Sequence, residues 1–253
     1  MRKGGAVPGM SRPAARGRAE HLLLAYPGRD IAVTAITVVL TAVVFAAVAS
    51  QGVLAHIQHL DKAWLRLMVT NRSGPVTALA RFLNVLGLVY VTLPVRIAIA
   101  GYLALRRRWW HLAAFVVAIV MSEALIGTLK AIYDRARPPG SLVATSGASF
   151  PSGHSIAATV TVVAAVIALV PPGRRRAWWG AGAVVFSALM ALSRAYLAAH
   201  WLSDAIAGVL LGTSCALLAA VVVGLFQRRW RDHHPVQMTH GQAHDVTQSA
   251  DQA

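Results

Sequence analysis

Long apolar segments constrain the fold of this chain more than any other feature of its sequence. Of its 253 residues, 57% are hydrophobic and only 13% are charged, whereas soluble domains carry about 25% charged residues. A helix that crosses a bilayer needs about 20 apolar residues at 1.5 Å each. The pattern predicts an all-α, polytopic membrane protein, a bundle of six transmembrane helices over residues 31–49, 85–105, 109–129, 152–170, 177–192 and 201–226.

The basic residues lie in short clusters between the apolar segments. The net charge of +15 excludes neither a nucleic-acid partner nor a membrane. However, arginine clusters at 106–108, 174–176 and 228–231 each follow an apolar segment, as the positive-inside rule requires. Interfacial tryptophans adjoin them: Trp109, Trp110, Trp178, Trp179 and Trp230. We therefore expect no nucleic-acid partner, and a multi-pass plasma-membrane protein with both termini in the cytoplasm.

That orientation places three connecting segments on the outer face, at 51–84, 130–153 and 193–200. In the first of these, apolar residues recur every three or four positions: Ile57, Leu60, Trp64, Leu67 and Met68. Asp61, Lys62 and Arg66 fall between them, which predicts an amphipathic helix on the outer membrane surface. A turn is predicted at residues 71–75. The positive-inside rule places basic residues on the cytoplasmic side, and this outer segment departs from it at Lys62, Arg66, Arg72 and Arg81.

The two ends of the chain are polar. Residues 1–30 and 228–253 are predicted to be disordered cytoplasmic tails that flank a membrane domain at 31–227. The histidines of the second tail, from His233 to His244, are typical of a solvated tail or of a weak metal-binding tract. The first apolar segment resembles a cleavable signal peptide, but its 19 residues exceed the usual apolar run of about 7–15. We therefore expect a retained span.

Charged and polar residues recur at tight spacings between residues 130 and 204. Lys130 ends the third apolar segment, and Arg137 follows seven residues later. If the helix continues for two turns, both side chains point to one side. Lysine supplies a point charge, and arginine supplies a fork that matches phosphate oxygens. The alternative is an ordinary basic boundary of a membrane span.

A second group begins the fourth apolar segment. Ser152 suits a helix N-cap, and Gly153 lets a ligand approach the backbone. The free N–H groups of a helix N-terminus bind anions. His154 then lies in the first turn, where it can give a proton to a leaving oxygen. A capped helix with an incidental histidine is the alternative.

A third group joins the fifth and sixth segments. His200 and Asp204 are four residues apart, so they share a helix face. A carboxylate there can hold one imidazole nitrogen protonated and leave the other free to attack. Arg194 adds a cation. The three groups together supply what in-line phosphoryl transfer requires: cations, a nucleophile and an acid.

These motifs are KX6RP at 130–138, PSGH at 151–154 and SRX5HX3D at 193–204. They resemble, without a departure, the signature motifs of the type-2 phosphatidic acid phosphatase superfamily, which includes lipid phosphate phosphatases and vanadium haloperoxidases. The haloperoxidase members are soluble, so the predicted spans favour the phosphatase branch.

The resemblance implies a role for each matching residue. His200 would be the nucleophile that forms a phosphohistidine, Asp204 would orient it, and His154 would be the general acid. The phosphate would be held by Lys130, Arg137, Ser152, Gly153 and Arg194. No metal or other cofactor is expected. The expected substrate is a lipid-linked phosphate: phosphatidic acid, phosphatidylglycerol phosphate, or an undecaprenyl or other polyprenyl phosphate or diphosphate.

Two other functions remain as alternatives. One is metal-assisted hydrolysis with His154, His200 and Asp204 as ligands, which the nearby cations disfavour electrostatically. The other is a non-catalytic transporter or scaffold that retains the motif residues of an ancestral active site.

Several residues outside the motifs also carry expectations. Arg96 and Glu123 lie inside predicted spans, and intramembrane charges are usually paired or functional. They are hypothesised to pair with each other, or Glu123 to approach Lys130. Arg135 is expected to make loop contacts. His56, His59 and His111 are expected at the membrane interface, and the single cysteine, Cys215, as a small packing residue.

Overall fold

The fold is entirely helical over residues 21–234, the part of the chain that the computed structural model describes. These residues form eight α-helices and no β-strand, which confirms the predicted all-α class. The helices are α1 (Pro27–Ala49), α2 (Gln51–Thr70), α3 (Gly74–Leu86), α4 (Val89–Leu105), α5 (Trp109–Tyr133), α6 (Gly153–Leu169), α7 (Arg174–Tyr196) and α8 (Leu202–His233).

Helix α8 is at the centre of the bundle and packs against α1, α5, α6 and α7. Its buried face consists mainly of alanine, glycine and serine, so neighbouring backbones approach it closely. Gly208 and Gly212, four residues apart, lie directly against α6. A Cβ atom at Gly208 would lie 2.8 Å from the Ser152 carbonyl oxygen, and one at Gly212 would lie 2.8 Å from that of Ile156. These two glycines therefore set the distance between α8 and the start of α6.

The predicted count of six spans is supported only in part. By length and composition, α1, α5 and α8 can cross a membrane, and α3 with α4 makes a fourth span if this pair, bent by 51°, is counted as one. Helix α6 is apolar but has 17 residues, a length of about 25 Å against a hydrocarbon core of about 30 Å. Helix α7 has arginines at both ends and tryptophans and glycines between them, which lower its mean hydropathy.

The outer segment at 51–84 forms two helices instead of one. Asn71, Arg72 and Ser73 separate α2 from α3, in agreement with the predicted turn. Helix α2 contacts α1, α7 and α8, so it packs on the bundle. Asp61, predicted on the polar face, is only 3% exposed.

The inner ends of both predicted tails, at 21–30 and 228–234, are packed on the bundle or belong to its helices. Leu23 and Leu24 are buried, and the Leu23 N–H donates to Gln227 Oε1 at 3.0 Å. Helix α1 begins at Pro27, and α8 continues to His233. The remaining tail predictions, which include most of the histidine tract, concern residues 1–20 and 235–253 and lie outside the described part of the chain.

Interior polar residues outside the motifs are mostly paired. Arg96 Nη1 lies 2.7 Å from Glu123 Oε1, which confirms the hypothesised ion pair. Cys215 is 2% exposed within the core, as predicted. His111 is buried in the protein, with its ring 4.2 Å from that of His21, and its position at the membrane interface stays a prediction.

The close contact between α6 and α8 predicts that Gly212→Ala and Gly127→Ala will have different effects on thermal stability. Gly212→Ala will lower the midpoint of thermal unfolding, because its methyl group meets a backbone oxygen and overpacking costs about 1–3 kcal/mol. Gly127→Ala on α5 is the matched control, since nothing lies within 4 Å of its added Cβ. That variant will be as stable as the parent or slightly more so, because alanine favours the helix by about 1 kcal/mol. Equal midpoints for the two variants would contradict the close α6–α8 contact.

Candidate active site

The three sequence motifs meet at one end of the bundle. Lys130 lies in the last turn of α5 and Arg194 in the last turn of α7, whereas α6 and α8 begin at this end with His154 and Asp204 in their first turns. His200 lies in the short connection between α7 and α8. The imidazole of His154 is within electrostatic range of four other candidates, namely Lys130, Arg137, Arg194 and His200. The structure thus brings together residues that are up to 74 positions apart in the chain, from 130 to 204.

Arg137 reaches the site from a loop. The condition that α5 continues for two turns beyond Lys130 is not met, because the helix ends at Tyr133 and Asp134 has a left-handed backbone with φ of 34°. The following residues double back, and the Ser149 N–H donates to the Arg135 carbonyl oxygen at 2.7 Å. Lys130 and Arg137 therefore meet through this loop and not along one helix face.

The start of α6 agrees with the predicted N-cap. The Ser152 hydroxyl accepts hydrogen bonds from the Ser155 N–H at 3.5 Å and the Ser155 hydroxyl at 3.0 Å. The Ser152 N–H donates to the Asp204 carbonyl oxygen at 3.1 Å, which ties the second motif to the third. Gly153 is the first residue of the helix. The dipole of α6 therefore points its positive end into the site.

His200 is held with one nitrogen bound and the other facing a cation. Its Nδ1 lies 2.7 Å from the Ser149 carbonyl oxygen. Because a carbonyl can only accept, Nδ1 carries the proton and Nε2 keeps its lone pair. Nε2 lies 3.3 Å from Arg137 Nη1. The imidazole is thus arranged as a neutral nucleophile beside an arginine.

Asp204 acts on His200 indirectly. Its Oδ2 lies 3.9 Å from His200 Nδ1, too far for the direct bond predicted from the spacing of the two residues. Instead, Oδ2 accepts hydrogen bonds from the Ser149 hydroxyl at 2.5 Å and the Trp201 N–H at 3.0 Å. Since the carbonyl of the same Ser149 binds the imidazole, Asp204 positions His200 by holding Ser149.

Arg135 and Asp61 belong to this network, and the sequence interpretation missed both. Arg135 Nη1 donates to Asp204 Oδ1 at 2.5 Å, and Nη2 donates to Asp61 Oδ2 at 2.8 Å. Asp61 also accepts from the Ser203 N–H and hydroxyl at 2.9 and 2.7 Å. The fork of Arg135 therefore fastens α2 to the start of α8.

A signal for Asp61 was present in the sequence. It shares a helical stripe with Ile57, Trp64 and Met68, at steps of three and four residues, so it lies on the face of α2 that packs inward. A carboxylate on a packed face requires a buried cation. Arg135, inside the variable part of the first motif, had no comparable signal.

The three cations of the motifs are fixed by oxygen acceptors. Arg137 donates to the carbonyl oxygens of Ser146, Gly147, Ala148 and Ala199 at 2.6–3.2 Å. Lys130 Nζ donates to the Ala148 carbonyl oxygen at 2.6 Å. Arg194 donates to Asn84 Oδ1 on α3, and its buried Nε has no hydrogen-bond partner among the described residues. The cations are thus positioned before any anion binds.

His154 lies against the break between α3 and α4. A Cβ atom at Gly87 would lie 2.6 Å from His154 Cδ2, so only glycine leaves room for this ring. The buried Nε2 of His154 has no hydrogen-bond partner within residues 21–234. This nitrogen is available to a ligand.

Burial lowers the pKa of His200 from 6.5 to about 4. The negative charge of the nearby Asp204 opposes this shift in pKa, and the positive charge of Arg194 adds to it. Burial also lowers the pKa of Arg137, while the charge of Asp204 raises it. His200 is therefore neutral at physiological pH.

The described residues contain no group of three or more His, Cys, Asp or Glu side chains placed to hold a metal ion. The suggested ligand set of His154, His200 and Asp204 also fits a cation poorly. Both carboxylate oxygens of Asp204 already accept hydrogen bonds, one of them from Arg135.

Comparisons with known proteins give a family match and two similar structures. A sequence model of the PAP2 superfamily matches residues 111–228. The crystal structure of a transmembrane PAP2-type phosphatidylglycerolphosphate phosphatase from Bacillus subtilis is similar, with a TM-score of 0.65 and 25% sequence identity, over 78% of this chain and 96% of that chain. Aquifex aeolicus LpxE shares the fold, with a TM-score of 0.53 and 22% identity over 63% of this chain and 94% of that chain. Curated protein sequences gave no significant match.

The bridge made by Arg135 predicts a loss of turnover when the fork is removed. Arg135→Lys will lower kcat about 10- to 100-fold, because a single ammonium cannot hold Asp204 and Asp61 together and small displacements of reacting groups are costly. KM will change much less, since the phosphate-binding cations stay in place. Arg66→Lys, on the exposed face of α2, is the control and will keep the parent kinetics. A lowered unfolding temperature with kcat unchanged in the folded enzyme would contradict a positioning role.

The lowered pKa of His200 predicts the acidic limb of the pH profile. A histidine nucleophile must be neutral, so kcat/KM falls as the pH drops through the pKa of His200 in the free enzyme. With a pKa of about 4, this loss will occur well below the ordinary value of 6.5. The measurement is kcat/KM for an aryl phosphate, corrected for ionisation of the substrate. A limb at the ordinary histidine value would contradict the buried, neutral imidazole.

Proposed function

Because the chain is a member of the PAP2 superfamily through residues 111–228, we propose that it is an integral-membrane phosphatase that hydrolyses a lipid-linked phosphate. The observation that carries this proposal is the arrangement of His200. Its Nδ1 is bound to the Ser149 carbonyl, and its Nε2 faces Arg137 at 3.3 Å. That arrangement supports attack by an imidazole on a phosphorus atom held by cations.

The proposed reaction has two steps. In the first, the Nε2 lone pair of His200 forms a bond to phosphorus, and the bond between phosphorus and the lipid oxygen breaks. His154 gives a proton to that oxygen, so the lipid leaves as an alcohol, or as a monophosphate when the substrate is a diphosphate. In the second, water attacks the phosphohistidine and gives a proton to His154. The phosphorus–nitrogen bond breaks, and inorganic phosphate and neutral His200 result.

Lys130, Arg137 and Arg194 stabilise the charge on the equatorial phosphoryl oxygens in both steps. These side chains are held by fixed oxygen acceptors, so little reorganisation is needed when the transition state forms. The N-terminus of α6, with Ser152 and Gly153, adds backbone donors and a positive dipole. Asp204, Arg135 and Asp61 act through Ser149 as positioning residues.

We propose that the reaction is independent of metal ions. Four cationic side chains, Lys130, Arg135, Arg137 and Arg194, surround the site and already supply the positive charge that a metal would bring. Adding a divalent cation there would be opposed by like-charge repulsion.

The proposed location is the outer face of the plasma membrane, with six membrane-crossing segments. The arginine clusters at 106–108, 174–176 and 228–231 lie at the end of the bundle opposite the site, and the positive-inside rule assigns that end to the cytoplasm. Helices α4 and α6, with 17 residues each, and the more polar α7 would cross as members of a bundle that already contains α1, α5 and α8. A lipid head group would then meet the motifs at the interface while its tails stay in the bilayer.

The proposed substrates are phosphatidic acid, phosphatidylglycerol phosphate, and undecaprenyl or other polyprenyl phosphates and diphosphates. The similar Bacillus subtilis enzyme is a phosphatidylglycerolphosphate phosphatase, which supports the second of these.

Phosphate release by the purified protein across this lipid panel tests the function. We expect turnover of at least one lipid and a loss of at least about 1,000-fold in His200→Ala, because removing a nucleophile removes the covalent route. His59→Ala, an exposed histidine on α2, is the matched control and will keep full activity. Brief reaction with radiolabelled substrate will give an acid-labile phosphoprotein in the parent and in the control, but not in His200→Ala.

Strong chelators will leave the rate unchanged if the reaction is metal-independent. Absence of phosphate release from every lipid would overturn the enzymatic function. Activity that His200→Ala retains would overturn the assignment of the nucleophile.

A further inference from the structure

A groove of about 530 Å³ opens between α4, α5 and α6 and ends at Gly153 and His154. Its outer walls carry Leu93, Ile97 and Val120, which are 49%, 62% and 61% exposed. Apolar side chains exposed at the middle of membrane helices face lipid. The groove is therefore a lateral path from the bilayer to the proposed general acid.

The position of His154 assigns this groove to the leaving group. In an in-line displacement the nucleophile and the leaving oxygen lie on opposite sides of phosphorus. His154 protonates the leaving oxygen, so the lipid attached to that oxygen lies on the His154 side, where the groove begins.

The wall of the groove contains an ion pair. Arg96 Nη1 donates to Glu123 Oε1 at 2.7 Å, and Arg96 also donates to Thr161 Oγ1 at 2.9 Å and to the Ala157 carbonyl oxygen at 3.3 Å. The Arg96 side chain is 10% exposed, whereas that of Glu123 is 51% exposed. The carboxylate of Glu123 is thus a charged group that the groove presents to its occupant.

The Arg96–Glu123 pair lies at the level of the groove where the substrate atoms next to the scissile phosphate would be. Ala157, which Arg96 contacts, is three residues beyond His154 on α6, a rise of about 4.5 Å along the helix. In a phosphate ester of glycerol, hydroxyl or ester oxygens lie within a few bonds of the phosphate, at this depth. In a polyprenyl phosphate, only hydrocarbon lies there.

We propose that Arg96 and Glu123 form a specificity subsite that selects phosphate esters of glycerol lipids over polyprenyl phosphates. The proposal rests on the phosphatase function and adds the class of substrate. Hydrocarbon placed against the pair covers charged groups without giving them a hydrogen bond, which is unfavourable. The oxygens of glycerol give these charged groups new hydrogen bonds. A glycerol hydroxyl donates to Glu123, and an ester oxygen accepts from the remaining N–H groups of Arg96.

The test compares two phosphate monoesters in the same detergent micelles. One is dioctanoyl phosphatidylglycerol phosphate, whose head-group glycerol keeps a free hydroxyl beside the scissile phosphate ester, and the other is farnesyl phosphate. The quantity measured is the ratio of their kcat/KM values for each variant. Arg96→Leu/Glu123→Leu removes both charges together, so neither is left buried and unpaired. We expect the ratio to fall at least about tenfold, the scale of one lost hydrogen bond to a charged group.

Two further variants keep the result interpretable. Thr41→Val/Ser214→Ala removes another polar pair inside the bundle, a 2.9 Å hydrogen bond between α1 and α8 away from the groove. Its ratio will equal that of the parent.

Glu123→Gln keeps a hydrogen bond to Arg96 and loses only the charge. This variant therefore tests the subsite even if the double leucine variant does not fold. Its ratio of kcat/KM values will also fall, by a smaller factor.

A ratio equal to that of the parent, in folded variants that hydrolyse both lipids, would overturn the subsite and leave the phosphatase function intact. A ratio that rises would also overturn it. If the parent hydrolyses neither lipid nor any other in the panel, the phosphatase function itself fails.

Discussion

The carboxylate of Asp204 is fully buried, and the geometry of the site depends on how its charge is compensated. Moving a charge from water into a protein interior costs several kcal/mol, and removing one partner of a buried ion pair costs about 3–5 kcal/mol. Arg135, the Ser149 hydroxyl and the Trp201 N–H compensate Asp204. Since Ser149 also binds His200, the compensation of one charge fixes the nucleophile.

The same network connects distant parts of the chain. Arg135 follows α5, Asp204 begins α8, and Asp61 lies in the middle of α2. Helix α2 otherwise makes few contacts with the bundle, so its ion pair with Arg135 is a principal attachment. The close approach of α6 to α8 at Gly208 and Gly212 then sets Ser152 and His154 at a fixed distance from Asp204. Apolar packing and a small number of buried charges thus hold the motif-bearing segments together.

The predictions from sequence succeeded where local pattern determines structure. Ser152 caps α6 as its side chain and position require, and the apolar segments are helices. The prediction of membrane spans was incomplete for α6 and α7. Helix α6 is near the lower limit of length for a span, and α7 has arginines at both ends, so neither is identified as a span by length and composition. The helical path considered between Lys130 and Arg137 does not form, because the helix ends before the left-handed residue Asp134.

The sequence by itself determined the residue types of the site and their spacing within each motif, since those depend on a few neighbouring positions. It also indicated that Arg96 and Glu123 had to find partners, because unpaired charges inside a membrane are too costly. The tertiary structure decided which groups meet. It placed the Ser149 carbonyl between Asp204 and His200, brought Asp61 from α2 to Arg135, and set the Arg96–Glu123 pair beside the groove at His154. These contacts join residues 27 to 74 positions apart, and no local pattern fixes distances across helices that are so far apart in the chain.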